Sequence, residues 1–459
     1  MSRVAPARRA AFEVVRRTFE QGAWTDRALP AAVRRHRLDA RDRALAKRLA
    51  YGSIQRRGTS DFVIAGLAGR SVNAVDAAPL AALRLGLYEL LFAGGTPDHA
   101  AVDQAVELTK AGRGGGRAAR EGGARFVNAV LRRAAREREA LLAGLSDATP
   151  EQAAVALSHP RWLAEMWWEE LGPGSARALM AADNEPAETA LRVNTLRDER
   201  DEALRDLLAE GAAVERPAVP PAPPESVVVP GPIGDAVASW IEDGRVVPQS
   251  RASALVVDVL DPQPGERVLD LCAGPGIKTT QIAARMGGGE GLVAVEKNPG
   301  RAGELRDLCR LTGAAGVDVR HADAARDDLG DGYDRVLVDP PCSDLGTLAS
   351  RPDARWRKST QGVDRLSALA AEIASRGSAA LRRGGTLVYS TCTVSRRENE
   401  DLIEALLGSG SGELAADDLS SEHPQLASVH DSRFIQTRPD RDRTDGFFVA
   451  RLRKQGGTT

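Results

Sequence analysis

Apolar residues recur with the spacing of amphipathic helices from about residue 6 to residue 138. A stripe of five leucines between positions 80 and 91 follows Pro79, and proline is well tolerated in the first turn of a helix. This pattern predicts an all-α domain of five to seven helices over residues 1–140. A tract rich in glycine and arginine, residues 112–123, predicts a mobile loop before a helix at 124–138.

Residues 141–245 carry a mixed pattern that predicts a small α+β linker domain. A helix with three tryptophans begins near residue 149, residues 190–196 have the pattern of a strand, and residues 204–208 that of a helix. The run 217–232 contains seven prolines, which exclude a helix or a central strand. We therefore expect that run to be a surface connection.

From residue 249 onward, short apolar runs alternate with helical patterns. This alternation predicts a parallel sheet covered by helices on both faces, and so a Rossmann-like α/β domain over residues 246–459. Two late runs, 433–437 and 447–452, lack a long helix between them and predict an antiparallel edge pair. The predicted strands of the parallel sheet are 267–272, 291–296, 317–322, 335–339 and 386–390.

Composition narrows the class of protein. The chain of 459 residues is 42% hydrophobic and 27% charged, which is typical of a folded globular protein and argues against disorder and fibres. We find neither a run of about 20 uncharged apolar residues nor the apolar core of a signal peptide, so we expect a cytoplasmic protein without a membrane association. The four cysteines form no CxxC pair, so we expect no disulfide framework and no bound metal.

The net charge of −2 hides an asymmetry along the chain. Residues 1–140 hold 26 basic against 14 acidic side chains, whereas the remaining residues hold 36 against 50. A basic segment of this kind favours contact with a polyanion such as RNA. An arginine-rich solvated surface, as a GC-rich genome encodes, is the alternative explanation.

The turn at residues 270–279 lies between the first strand of the parallel sheet and a helix at 278–285. Small residues in such a turn let the backbone approach a ligand at the carboxyl end of the strand. The turn matches neither GxGxxG nor a P-loop, so it does not favour a pyrophosphate or a triphosphate. Glycine can also serve turn geometry alone, so this motif needs support from elsewhere.

Acidic residues at the ends of three successive predicted strands supply that support. Glu296 ends the second strand, Asp323 follows the third and Asp339 ends the fourth. An acidic side chain at such a position accepts hydrogen bonds from ribose hydroxyls. Each carboxylate alone would be explained by a loop or a helix cap, but the series predicts a nucleoside-type cofactor.

Two cysteines give the most specific signal. Cys342 follows the fourth strand within residues 339–343, and Cys392 follows the fifth within residues 390–392. Both should project from strand ends on the cofactor side of the sheet, where a substrate base would lie. Cys309 lies on a helix among leucines and is expected to be an inert core residue.

These motifs resemble those of S-adenosylmethionine-dependent RNA cytosine-5 methyltransferases. Residues 351–353 with Trp356, residues 398–400 and residues 445–448 extend the likeness. Residues 126–132 are similar to NusB-type RNA-binding domains. Segments 159–162 and 191–194 resemble the domain that links the two. This order is that of the ribosomal RNA small subunit methyltransferase B family, also called Sun or Fmu, and it covers essentially the whole chain.

The resemblance implies methylation of carbon 5 of a cytosine in RNA, with 16S ribosomal RNA rather than DNA as the substrate and a protein partner possible through the NusB-like domain. It assigns the attack on carbon 6 to Cys392, the contact with the N3 edge of the base to Asp339, and release of the product to Cys342. Lys278 is expected to orient the site. The residues expected to bind S-adenosylmethionine are Cys272, Ala273, Gly274, Pro275, Gly276, Ile277, Lys278, Glu296, Asp323 and Asp339.

The chain departs from the family pattern at three positions. Gly274 and Ile277 stand where the family usually has alanine and glycine, and Asp344 stands where glycine commonly follows the Cys-Ser pair. A β-branched Ile277 would resist a positive φ in the turn, so an altered cofactor geometry is expected there.

Three other classes of protein compete with this interpretation. A methyltransferase of exocyclic or amide nitrogen would need an aromatic residue where Cys342 stands. An RNA-binding antitermination-like factor with a non-catalytic scaffold would not need the paired cysteines. A nicotinamide dehydrogenase would carry the glycine fingerprint that the turn lacks.

Overall fold

The computed structural model describes residues 4–112, 116–409 and 413–456. It divides into two compact units, Met1–Pro186 together with Leu348–Arg357, and Ala187–Thr347 together with Lys358–Thr459. In the described residues, no helix is both long enough and apolar enough to cross a membrane.

In its described residues the first unit contains helices and no strand. Seven α-helices lie between residues 6 and 136, in agreement with the prediction of five to seven. The helices of this unit are α1 (Pro6–Glu20), α2 (Thr25–His36), α3 (Ala40–Gln55), α4 (Arg57–Ala68), α5 (Ala77–Tyr88), α6 (Asp98–Ala111), α7 (Arg117–Arg136), α8 (Arg138–Ala143), α9 (Pro150–Ala156) and α10 (Arg161–Ala182).

Helix α7 corrects the predicted loop at 112–123. It begins at Arg117, so residues 117–123 are helical, while residues 113–115 of that prediction lie outside the described residues. A Cβ at Gly123 would lie 3.0 Å from Cγ of Pro79, so glycine lets α7 approach the start of α5 closely. The apolar face of α7, which includes the buried Val127 and Leu131, packs into the core of the unit. Tertiary burial therefore overrides the low helix propensity of the glycines.

The segment Leu348–Arg357 lies far along the chain and yet belongs to the first unit. Arg355 is fully buried and donates hydrogen bonds to the carbonyl of Ser158 (3.2 Å), to Oδ1 of Asn184 (2.9 Å) and to the carbonyl of Asp183 (2.8 Å). Burial lowers the pKa of Arg355 to about 10. Beside it, Nε1 of Trp356 donates to the carbonyl of Ile54 at 2.8 Å. The guanidinium thus donates hydrogen bonds to buried oxygen atoms in the segments that follow α9 and α10.

The second unit begins with a small antiparallel sheet in the order β2-β1-β3. The Pro-rich run 217–232 is not a connection throughout, because β2 forms inside it. β2 pairs with β1 and lies at the end of the strand order. Prolines close to a strand are tolerated at such an edge position. The elements here are β1 (Ala190–Val193), α11 (Arg200–Ala209), β2 (Ser226–Val228), α12 (Asp235–Glu242) and β3 (Val246–Pro248).

An eight-stranded sheet forms the rest of the second unit. Its path is β10-β11-β8-β7-β4-β5-β6, with β9 paired to β11. Its elements are α13 (Arg251–Leu260), β4 (Val268–Asp270), α14 (Ile277–Arg285), β5 (Leu292–Glu296), α15 (Pro299–Thr312), β6 (Asp318–His321), β7 (Tyr333–Val338), α16 (Thr360–Ala380), β8 (Leu381–Thr391), α17 (Glu400–Ser409), β9 (Leu414–Ala416), β10 (Ile435–Gln436), α18 (Pro439–Asp442) and β11 (Phe448–Lys454).

The pairing confirms the predicted parallel sheet. Strands β8, β7, β4, β5 and β6 are parallel, and β10 and β11 form the predicted antiparallel pair. Apolar clusters cover both faces, so the sheet is buried on each side. The chain runs outward from β4 through β5 to β6 and then returns to β7 on the other side of β4. The carboxyl ends of β4 and β7 are therefore the topological switch point, where ligands of such sheets bind.

We expect Arg355→Ala to lower the free energy of unfolding of the first unit by about 3 kcal/mol or more, because it leaves several buried acceptors without a donor. Chemical denaturation followed by tryptophan fluorescence measures this. Arg117, whose side chain is 89% exposed, is the matched control, and Arg117→Ala should change stability by no more than about 0.5 kcal/mol. Equal effects of the two substitutions would contradict the role given to Arg355.

Candidate active site

The carboxyl edge of the parallel sheet carries a row of acidic side chains. Asp270 ends β4, Glu296 ends β5, Asp339 follows β7, and Asp323 lies two residues beyond β6. Because the spatial order is β7-β4-β5-β6, the three predicted acids and Asp270 follow one another along this edge. The structure thus places the predicted acidic series on one side of the sheet.

The turn after β4 adopts the tight geometry that its small residues predict. The positive φ falls on Gly276, at 110°, and Ile277 begins α14. The expected strain at Ile277 is therefore wrong, because the left-handed position precedes it. Thr279, in the first turn of α14, donates from Oγ1 to Oδ2 of Asp270 at 2.7 Å. Burial raises the pKa of Asp270 to about 7.

The absence of a side chain at Gly274 makes room for Glu296. A Cβ at Gly274 would lie 2.1 Å from Oε2 of Glu296. The other oxygen of this buried carboxylate, Oε1, accepts from the backbone N–H of Asn298 at 2.7 Å. Ala273 donates its N–H to the carbonyl of Val295 at 2.9 Å, which fastens the turn to β5. The turn and the Glu296 carboxylate form a cradle of the kind that holds an adenosyl group and its ribose.

Two further predicted cofactor residues have other surroundings. Asp323 pairs with Nζ of Lys297 at 2.8 Å and accepts from the N–H of Ala325 at 3.1 Å. The hydrogen bond from Lys297 lowers the pKa of Asp323. Cys272 lies in the turn itself, and burial raises the pKa of its thiol, which therefore stays protonated near neutral pH.

Asp339 is held by two donors. Nζ of Lys278 donates to Oδ2 at 2.6 Å, and Oγ of Ser390 donates to Oδ1 at 3.1 Å. Lys278 also lies over the ring of Phe447, with Nζ 4.8 Å from the ring centroid. The lysine therefore connects the turn after β4 to Asp339 and fixes the direction in which the carboxylate points, a contact that the sequence analysis did not predict.

The two predicted cysteines lie side by side. Sγ of Cys342 is 3.3 Å from Sγ of Cys392, and both thiols are free. Sγ of Cys392 also donates to Oδ1 of Asp344 at 3.2 Å, and Oδ2 of Asp344 pairs with Nζ of Lys358 at 3.0 Å. The two sulfur atoms and one oxygen of Asp344 all lie within 4.8 Å of one another. The hydrogen bond with Cys342, burial and the charge of nearby acids raise the pKa of the Cys392 thiol well above its ordinary value.

A buried carboxyl group fixes the loop that carries Cys342. Glu398 accepts from the N–H of Ser343 at 2.8 Å and from the hydroxyl of the same residue, and the Ser343 hydroxyl also contacts Oγ1 of Thr393 at 2.8 Å. Burial raises the pKa of Glu398 to about 7. Ser343 follows Cys342 and Thr393 follows Cys392, so this cluster links the two cysteine loops.

Two glycines, Gly346 and Gly446, connect the cysteine loops through backbone hydrogen bonds. Gly346 donates its N–H to the carbonyl of Cys392 at 3.0 Å, and Gly446 donates to the carbonyl of Gly346 at 2.7 Å. A Cβ at Gly346 would lie 1.9 Å from the carbonyl oxygen of Gly446. Since that neighbour is backbone, only glycine fits. This contact also explains why residues 445–448 belong to the same motif set.

Sequence reasoning identified the cysteines and acids but not their supports. In the sequence, Glu398 stands out only as part of a family pattern, and Asp344 only as a departure from one. Lys358 carried no signal, because its partners are Asp344 and the carbonyl of Cys342 in a loop before it. Cys309 is buried in an apolar cluster with Leu305, as predicted.

We expect Glu398→Gln to remove a pH-dependent loss of stability. The unfolded chain ionises a glutamate near its ordinary pKa, whereas Glu398 in the folded state holds its proton up to about pH 7. Folding therefore loses free energy as the pH rises from about 4.5 to 7, by up to about 3 kcal/mol, and keeps that loss above pH 7.

Glutamine can still accept from the N–H of Ser343 and donate to its hydroxyl. Thermal unfolding should thus show equal melting temperatures for the two proteins near pH 5 and a higher one for the variant at pH 8. The difference in melting temperature between variant and wild type should rise from pH 5 to pH 8. If the variant instead lost stability relative to the wild type over that range, the raised pKa of Glu398 would be contradicted.

Comparison with known proteins places these features in a family. Residues 257–453 match the family described as 16S rRNA methyltransferase RsmB/F. Residues 5–136 match the NusB family, and residues 159–229 match the ferredoxin-like domain of RsmF/B-like methyltransferases.

Whole-chain relatives agree. A Mycobacterium tuberculosis protein named "Putative methyltransferase" is 35% identical over 98% of this chain and 96% of its own. A Bacillus subtilis protein named "Probable ribosomal RNA small subunit methyltransferase B" is 30% identical over 97% of this chain and 98% of its own. The crystal structure of PH0851 has a TM-score of 0.81 and 26% identity, covering 98% of this chain and 99% of that one.

These matches fit the site as the structure builds it. S-adenosylmethionine is the cofactor. The turn in which Gly274 packs closely against Glu296 is a site at this sheet edge that could hold its adenosyl part. With an all-α NusB domain, a small linking domain and an α/β catalytic domain, the chain belongs to the RsmB/F family of 16S rRNA methyltransferases and is an S-adenosylmethionine-dependent RNA methyltransferase.

Proposed function

We propose that the protein methylates carbon 5 of a cytosine in 16S ribosomal RNA through a covalent adduct with Cys392. The observation that carries this proposal is the pair of thiols, 3.3 Å apart, at the carboxyl edge of the sheet. One thiol can form the adduct while the second remains close enough to serve its release. A methyltransferase that acts on a nitrogen has no use for two adjacent thiols.

Carbon 5 of cytosine is a poor nucleophile, so the ring must first be activated by addition at carbon 6. In this proposal the sulfur of Cys392 forms a bond to carbon 6, and electron density moves to carbon 5 and the N3 edge. The addition needs a proton donor or hydrogen-bond partner at that edge of the base, and we assign this contact to Asp339, which Lys278 and Ser390 hold. The two donors keep the carboxylate in place for this contact.

S-adenosylmethionine supplies a methyl group on a positively charged sulfur. After transfer, carbon 5 carries both the methyl group and its original proton. Cys342, next to the adduct sulfur, takes that proton directly or through a water molecule. The double bond between carbons 5 and 6 then forms again, the bond from carbon 6 to sulfur breaks, and its electron pair returns to Cys392.

We assign cofactor binding to the turn and the acidic row. In this proposal Glu296 accepts hydrogen bonds from ribose hydroxyls, and the acids of the row also favour a cationic sulfur. Asp323 would accept from the adenine or ribose side once its pairing with Lys297 rearranges. The residues proposed to bind S-adenosylmethionine are the same as those expected from the sequence: Cys272, Ala273, Gly274, Pro275, Gly276, Ile277, Lys278, Glu296, Asp323 and Asp339.

The choice of 16S ribosomal RNA is supported by the family to which the chain belongs and by the names of its relatives. A stacked cytosine does not reach such a pocket, so the target is unpaired or extruded at a cost of a few kcal/mol. The basic residues within 1–140 would bind the RNA backbone, and a protein partner could use the same domain. We place this reaction in the cytoplasm, with no role for DNA or a membrane, and keep the domain limits 1–140, 141–245 and 246–459 as our proposal.

The first experiment identifies the product. Purified protein is incubated with methyl-labelled S-adenosylmethionine and unmodified 16S ribosomal RNA, and the RNA is digested to nucleosides. We expect labelled 5-methylcytidine, and we expect Cys392→Ala to reduce it by at least about 100-fold because the activating adduct is lost. Cys309→Ala, the same substitution in the core, should keep the label. Appreciable methylation by Cys392→Ala would mean that the nucleophile is misassigned.

The second experiment concerns release. Cys342→Ala should form the adduct but fail to resolve it, so a covalent protein–RNA species should accumulate on denaturing gels. The double variant Cys342→Ala, Cys392→Ala should show none. If Cys342→Ala yields only free protein while methylation is slow, Cys342 has no part in release.

A further inference from the structure

Attack by Cys392 requires the loss of the thiol proton, and the proposed function assigns no acceptor for it. The half-buried thiol of Cys392 contacts Cys342 and Asp344, and the hydrogen bond with Cys342, the loss of solvation and the charges of nearby acids raise its pKa well above the ordinary value. The thiolate is therefore scarce at neutral pH. Bond formation to carbon 6 must be coupled to removal of the proton by a group already in contact with the sulfur.

Asp344 is in that position. Its Oδ1 accepts from Sγ of Cys392 at 3.2 Å, within the range for a hydrogen bond to sulfur. The other neighbour in contact, Cys342, is itself a thiol and is assigned to a later step. Asp339 is engaged by Lys278 and Ser390. Among the described residues, Asp344 is thus the carboxylate that accepts a hydrogen bond from the Cys392 thiol.

The structure also fixes the direction of this carboxylate. Lys358 donates from Nζ to Oδ2 of Asp344 at 3.0 Å and to the carbonyl of Cys342 at 3.3 Å, so it ties Asp344 to the loop of the second cysteine. The backbone of Asp344 is left-handed, with φ of 58°, a conformation that Asp and Asn adopt more readily than most residues. Its carbonyl accepts from Oγ1 of Thr347 at 3.0 Å. Both the backbone and one carboxylate oxygen are held, and the other oxygen faces the thiol.

We propose that Asp344 is a catalytic residue that accepts the proton of Cys392 as the adduct forms, with Lys358 as its positioning residue; this rests on the proposed covalent mechanism. The S–H bond breaks and its proton moves to Oδ1 of Asp344. The electron pair left on sulfur forms the bond to carbon 6. On release, that pair returns to sulfur, and Asp344 gives the proton back.

Asp344→Asn is the test, because asparagine keeps the size and tolerates the left-handed backbone but cannot take the proton. The adduct is measured in the Cys342→Ala background, by single turnover with 16S ribosomal RNA and S-adenosylmethionine on denaturing gels. We expect its rate at pH 7 to fall by about 100-fold. The deficit should shrink as the pH rises, since free thiolate then replaces the assisted attack. Asp364→Asn, at a side chain that is 56% exposed, is the control and should leave the rate unchanged.

Alkylation of Cys392 by iodoacetamide, followed by peptide mass spectrometry without RNA, gives a second readout. Removing the negative charge beside the sulfur should lower the pKa of the thiol, so Asp344→Asn should be alkylated severalfold faster near pH 8 while it forms the adduct more slowly. Opposite changes in the two rates support the proposal. An unchanged adduct rate at pH 7 would overturn it, as would a deficit that is constant with pH and accompanied by slower alkylation, which indicates displaced structure.

Failure of the underlying mechanism has a different signature. If the Cys342→Ala protein with Asp344 intact forms no adduct, the covalent mechanism itself is wrong. Lys358→Met should slow adduct formation by less than Asp344→Asn does, because the acceptor remains but is less well placed. A larger loss with Lys358→Met would transfer the role from Asp344 to the lysine and overturn the assignment.

Discussion

The structure of the site depends on one close contact, the 3.3 Å approach of the Cys342 and Cys392 sulfur atoms. The two residues are fifty positions apart and come together only because β7 and β8 are parallel neighbours that end at the same edge. Parallel pairing alone brings loops near each other without fixing side chains to this precision. The remaining precision comes from Glu398, which binds the loop of Cys342, and from Gly346, which binds the carbonyl of Cys392.

Burial of the carboxyl groups that support the site costs free energy, because they lose their contact with water. Asp270 and Glu398 are buried carboxyl groups whose pKa values rise to about 7, which means that the fold disfavours their charged forms. Each group accepts hydrogen bonds from a hydroxyl and keeps a loop in place: Asp270 holds Thr279 at the start of α14, and Glu398 holds Ser343. Local stability is thus reduced where the turn after β4 and the loop of Cys342 must be positioned, as is common for functional sites.

The sequence predicts the parts of this protein that depend on local pattern. The helical first domain, the parallel strands, the antiparallel edge pair and the position of both cysteines follow from periodicity and from residues at strand ends. The prediction failed for residues 117–123, because packing of α7 against Pro79 outweighs the weak helix propensity of glycine. It did not foresee that Leu348–Arg357 joins the first unit, since the acceptors of Arg355 lie more than 170 positions earlier in the chain. The supporting roles of Glu398, Asp344 and Lys358 could not be predicted for the same reason, because each depends on contacts between loops and not on spacing along the sequence.

The distribution of charge separates two tasks that would otherwise conflict. The floor of the site is acidic, with Asp270, Glu296, Asp339 and Asp344, and its lysines 278 and 358 are each paired to one of these carboxylates. Because two of the four carboxylates are balanced by lysines and burial disfavours the charged form of Asp270, the floor keeps a modest negative charge, which suits a cationic sulfonium and a neutral base better than an RNA phosphate. Affinity for the polyanion would then come from elsewhere in the chain, and the excess of basic residues within 1–140 is its proposed source. In the proposed mechanism the basic residues of the NusB domain and the acidic floor of the site meet complementary requirements, because neither sign of charge alone would hold both the RNA and the methyl donor.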